Sequence, residues 1–167
     1  MRRQKGFSLI ELLIVVAIIL IIAAIAIPNL LRAKIAANEA SAVSSLHQIF
    51  TAESAYFAAG WSNPGALGFS NVLQDLGDSK GCMPPKLDSA CQLDSVLANA
   101  TTALTPKSGY YFTYVAFPNG QLNVGFSVQA DPASRGQTGN RSFFTDQTGV
   151  IRFNASQSAS STDPAIQ

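Results

Sequence analysis

Charge, histidine and cysteine are all scarce in this sequence. Acidic and basic side chains together make up 13% of the 167 residues, and they balance to a net charge of +1. That leaves no basic stretch of the kind that binds nucleic acid. The single histidine, His47, has no nucleophile or metal ligand at useful spacing, so it reads as a surface or interface residue and not as a catalyst. No phosphate-cradling loop, catalytic triad, zinc or dinucleotide motif is present. Neither enzymatic activity nor a cofactor is expected. The two cysteines, Cys82 and Cys91, bound the stretch CMPPKLDSAC. Free thiols or half of a metal site are alternatives, but no histidine or further cysteine lies nearby to complete tetrahedral ligation. A local disulfide in an oxidising compartment is the expectation, worth roughly 2–3 kcal/mol.

Polar residues are missing altogether from positions 12 to 27. As a helix, residues 7–27 span about 31 Å, the thickness of a hydrocarbon core. Arg2, Arg3 and Lys5 precede this run, which places the N-terminus in the cytoplasm and sends the rest of the chain outward in a single pass. A cleaved secretory signal is the rival, and Ala24-Ile25-Ala26 fits its small-x-small rule. Against it, the run exceeds the usual ~7–15 residues of a signal core, and Glu11 interrupts its start. Helical patterning also continues past the proposed cut. Leu31, Ile35, Ala42, Val43, Leu46, Ile49, Phe50 and Phe57 recur mostly at three/four spacing, with Arg32, Lys34, Asn38, Glu39 and Gln48 between them. A second helical stretch, residues 28–59, is therefore expected to continue the first and stop before Gly60. Pro28 lacks an amide hydrogen, so a kink is expected there. The joined helix of roughly 50 residues, about 75 Å, is too long for so small a domain to bury. Its first half belongs in lipid or against copies of itself.

The stretch KGFSLIELL resembles the type III signal of type IV pilins and pseudopilins: a short basic leader, Gly6, Phe7, then Glu11 in a hydrophobic helix. The resemblance covers roughly residues 1–60, and Pro28 matches the family's helix-kinking proline. It implies that a prepilin peptidase removes residues 1–6 by cutting between Gly6 and Phe7, and then N-methylates the Phe7 amine. The subunit then waits in the bacterial inner membrane until assembly machinery extracts it into a helical filament of its own copies. A complete signal and a compact head point to the major pilin of a type IV pilus, an extracellular filament. A major pseudopilin of type II secretion, forming a periplasmic pseudopilus, is the alternative. A membrane-anchored binding domain that never polymerises is a second one.

Glu11 is the candidate assembly residue. An acid at the bilayer centre costs about 2.5–3.5 kcal/mol and usually marks function, although one within a turn of the helix start could simply snorkel to headgroups. In a filament core, the economical arrangement puts the Phe7 amine of an incoming subunit near Glu11 of one already assembled. That pairing satisfies both charges and fixes axial register.

Residues 60–154 are expected to form an α+β head, a small antiparallel sheet packed on the second half of the helix through Leu46, Ile49, Phe50 and Phe57. Two short helices are expected near residues 71–76 and 93–100. YYFTYVAF (110–117) and QLNVGFSVQA (121–130) read as strands joined by Pro-Asn-Gly, with Leu122, Val124, Phe126 and Val128 on one face. RSFFT and GVIRF follow, joined by DQTG, and resemble the end of many pilin heads. Asp146 suits the first position of a type I turn. Calcium held by Asp146 and Asp131 is a weaker reading, since two carboxylates fall far short of the ~6–8 oxygen ligands required. The Ser/Ala-rich residues 155–167 are expected to be mobile.

Overall fold

The structure is a computed structural model and describes residues 7–61, 67–78 and 85–166. The chain forms two units, Met1–Lys34 and Ile35–Gln167. Helix α1, Leu9–Ala59, contributes residues to both. Its 51 residues match the expected length and end point, and Pro28 lies inside it.

In the first unit α1 is apolar all round. Its leucines, isoleucines and valines from Leu9 to Leu31 are exposed. Mean hydropathy reaches 3.3 over an 18-residue window, enough by length and composition to cross a membrane. A helix without a polar face requires an apolar surrounding on every side.

In the second unit α1 buries one stripe: Glu39, Ala42, Ser45, Leu46, Ile49, Ala52, Glu53 and Tyr56. The three/four spacing puts these residues on a single face, and the small side chains among them allow close approach. Phe50 and Phe57, expected to point inward, sit half-buried at its margin. Glu39, which the polar pattern places outward, is buried. The stripe shares one core with Leu73, Leu76, Leu97, Phe112, Phe126, Val128 and Phe143. Each large apolar side chain buried there contributes about 1.5–3 kcal/mol.

Four antiparallel strands form the sheet in the order β1-β2-β3-β4. They are β1 Tyr110–Asn119, β2 Leu122–Pro132, β3 Ser142–Asp146 and β4 Arg152–Asn154. The first three strands fall where expected, whereas of GVIRF only Arg152 and Phe153 lie in a strand, and the expected face of β2 does not hold throughout. Phe117 pairs with Gly125 and Pro118 with Asn123, so Val124 is an extra, unpaired residue. One inserted residue swaps the two faces of a strand. Phe126 and Val128 therefore point inward, Val124 is 59% exposed, and Asn123 is buried instead. Gly120, with φ of +66°, takes the left-handed turn between β1 and β2.

The short helices are shorter than expected. A 3-10 turn occupies Leu73–Leu76 and helix α2 Ser95–Ala98. Leu93 is drawn out of the helix because its amide donates to the Leu76 carbonyl. Asp94 then caps α2 by accepting from the Leu97 amide at 2.9 Å. Hydrogen bonds tie the tail to the sheet. The Phe153 amide donates to Pro164, the Ile166 amide to Ile151, and the Gln129 side chain to the Ala159 carbonyl. Asp163 accepts from Asn154 Nδ2 and from the Ser160 amide. Ala159 is fully buried. Polar side chains and backbone bonds, not apolar anchors, hold this segment against β4.

Candidate assembly site

The start of α1 is built from Ser8, Leu9, Ile10 and Glu11. The Leu12 amide donates to the Ser8 carbonyl at 3.3 Å, the first helical bond. The Ser8 amide donates in turn to Glu11 Oε2 at 2.9 Å. This is one arm of a capping box, in which the third helical side chain reaches back to the amide just before the helix. A negative charge in the first turn also complements the partial positive charge of the helix end. The spacing S-x-x-E that signals it is present in the sequence as SLIE. Glu11 is exposed, and its Oε1 has no hydrogen-bond partner among the described residues. Phe7 is 75% exposed beside it. Gly6 and the rest of the leader lie outside the described residues.

Two carboxylates of the head were missed by the sequence reading. Glu39 Oε1 accepts from the amides of Asn140 and Arg141 at 2.9 and 3.2 Å, and its Oε2 accepts from Arg141 Nε at 2.8 Å. Burial works against its charge, but these donors and the guanidinium together hold its carboxyl below the usual range. The Arg141 guanidinium lies over the rings of Phe143 and Phe153. Glu53 is fully buried. It accepts from the Ser70 amide at 3.1 Å, Ser70 Oγ at 2.5 Å and Tyr114 Oη at 2.6 Å. Burial is the larger effect here and raises its carboxyl above the usual range despite those bonds. Glu39, Leu46 and Glu53 recur every seven residues, as do Ala42, Ile49 and Tyr56. That common phase was the available signal.

The remaining candidates do not form a reaction centre. His47 is exposed along an open groove of about 410 Å³ with Ser44, Gln48, Thr51, Gln92 and Asp94. Asp146 accepts from the Thr148 amide at 2.9 Å, and the Gly149 amide donates to its carbonyl, which is the expected turn. Strand register sets the two residues of the calcium reading apart. Asp146 pairs with Ser127, four residues along β2 from Asp131, a separation of about 13 Å. The two carboxylates therefore do not converge. No group of three metal-ligating side chains occurs among the described residues. No free cysteine occurs among them either. Cys82 lies outside the described residues, so its pairing with Cys91 stays a proposal.

The model of the prokaryotic N-terminal methylation motif matches residues 1–27. Over 56 residues the chain is 46% identical to the type IV major pilin protein PilA of Myxococcus xanthus, which covers 34% of this chain and 26% of that one. Over 39 residues it is 67% identical to the type IV wide pilus major component PilA4 of Thermus thermophilus, covering 23% of this chain and 30% of that one. The chain thus spans less than a third of the length of the curated relatives it matches. No solved structure matches it. The chain joins a prokaryotic N-terminal methylation motif to an α+β architecture, a long apolar helix with a small four-stranded antiparallel sheet.

Proposed function

We propose that this chain is the major structural subunit of a type IV pilus and polymerises through the apolar part of α1. The observation that carries this reading is a helix exposed and apolar on all sides, headed by one carboxylate within the methylation motif. The precursor spans the inner membrane once with its N-terminus in the cytoplasm. A prepilin peptidase cuts after Gly6 and methylates the Phe7 amine, which stays cationic. Glu11 already uses Oε2 on the Ser8 amide, which orients the carboxylate at the helix start and leaves Oε1 for a cation. The Phe7 amine of a neighbouring copy is that cation in the filament, where water is excluded and an unpaired carboxylate would cost several kcal/mol. Pilus assembly machinery is the second partner. Pro28 bends the helix within its apolar span.

Two substitutions separate charge from capping. Glu11→Gln keeps an oxygen for the Ser8 amide but removes the charge, whereas Glu11→Ala removes both. Mass spectrometry should find both variants cut at Phe7 and methylated, and electron microscopy should find neither in filaments. Abundant filaments from Glu11→Gln alone would reduce Glu11 to a helix cap. Ordered filaments from both would refute the pairing.

A further inference from the structure

Assembly through Glu11 and the apolar helix leaves Arg32 and Lys34 unused. Both are exposed, and neither has an ion-pair or hydrogen-bond partner among the described residues. We propose that these two cations bind phospholipid phosphates of the outer leaflet and set the depth at which the precursor rests in the membrane. The proposal rests on the single-pass reading above.

Spacing is the first argument. From Glu11 to Arg32 is 21 residues, about 31 Å along a helix, against a hydrocarbon core of ~30 Å. Asn29 is the one polar side chain among the 20 residues between them. With Glu11 at the inner boundary, Arg32 and Lys34 fall at the outer one. Angular placement is the second. At 3.6 residues per turn, positions 32 and 34 lie about 200° apart, on opposite sides of the helix. One acidic protein partner would reach one of them. A headgroup layer surrounds the helix and reaches both. The chemistry is the third: long basic side chains lay their methylenes along apolar surface and extend their charge to phosphate. Glu39, the next carboxylate along the chain, already accepts from Asn140 and Arg141. The anchor is then a contact that extraction into a filament must break.

The test uses the full chain, ¹⁵N-labelled at arginine and lysine, in vesicles of phosphatidylethanolamine and phosphatidylglycerol. Solid-state NMR should transfer magnetisation from lipid ³¹P to one arginine and one lysine side-chain signal that disappear in Arg32→Gln and Lys34→Gln. In the double variant the boundary of acyl-chain contacts should move by about one turn, from Leu31 towards Ile35. The charge-preserving Arg32→Lys, Lys34→Arg exchange should restore it. Absent phosphorus transfer at both positions, with acyl contacts intact over residues 12–31, overturns the anchor while the membrane reading stands. Absent acyl contacts overturn both. Transfer from carboxylates of a second copy in place of phosphorus would replace the lipid with protein and also overturn the proposal.

Discussion

Replacing Glu39 by alanine removes the acceptor of two backbone amides and of the Arg141 guanidinium in one step. Cutting one member of a buried ion pair costs about 3–5 kcal/mol. The full value does not apply, because the Arg141 side chain is 44% exposed against 8% for Glu39. The guanidinium regains water and keeps its stacking on Phe143 and Phe153, and Asn140 sits at the surface. Hydrogen bonds to charged groups contribute about 1.5–3 kcal/mol each before such rehydration, so a net loss of about 2–3 kcal/mol is expected. Urea unfolding of the full chain in detergent, followed by fluorescence of the tryptophan Trp61, measures it. A Glu39→Ala, Arg141→Ala cycle should show coupling above about 0.5 kcal/mol. The pH dependence has a definite sign. The folded carboxyl is held below its ordinary 4.5, so its contribution is present above that value and is lost as pH falls through the folded one. Variant and wild type should therefore converge in acid. A variant within about 0.5 kcal/mol of wild type at neutral pH, or a difference that persists unchanged in acid, would refute the reasoning.

Glu53→Gln should behave in the opposite way: burial raises the folded carboxyl, so the wild type loses stability as pH rises through that value, and urea midpoints should shift in favour of the variant from acid to neutral pH. Gly139→Ala should destabilise by about 1–3 kcal/mol in thermal unfolding, because a Cβ would run into the Tyr110 hydroxyl and the ring carbon that carries it, and Tyr110→Phe in the same chain, which removes the hydroxyl, should recover part of the loss. Cys82→Ser and Cys91→Ser should each cost about 2–3 kcal/mol, with thiol labelling of the native protein giving no adduct before reduction; labelling of both would refute the pairing.

Strand positions were legible because each strand carries its own signal: aromatic and β-branched runs bounded by Asn119-Gly120 and by the Asp146–Gly149 turn. The inward face of β2 was not, since a bulge at Val124 depends on the partner strand, where Phe117 and Pro118 set the register. The contacts of the tail were hidden for a related reason: low apolar content says nothing of polar partners, and here Asp163, Asn154 and the backbone of β4 supply them. Glu39 reads as a polar residue between apolar ones because charge normally signals exposure, and Glu53 carries no signal of its own. Their phase with Leu46 pointed inward, and the donors that make burial tolerable, Ser70, Tyr114 and Arg141, come from parts of the chain that sequence spacing does not connect to them.

The two parts of α1 differ in sidedness, and that difference sorts their partners. From Ile35 onward the apolar residues form one stripe, so a sheet on one side satisfies them, and each buried acid has fixed donors on that same side. Up to Lys34 there is no preferred side: leucine and isoleucine face every direction, and the cations at positions 32 and 34 point opposite ways. Only an environment that surrounds the helix meets that demand, either lipid or a ring of identical helices. Exchanging one for the other leaves the apolar contacts nearly equivalent in kind. On the proposals made above, the charged groups at the two ends would decide the difference, with headgroup phosphates around Arg32 and Lys34 favouring the membrane and a neighbour's amine on Glu11 favouring the filament.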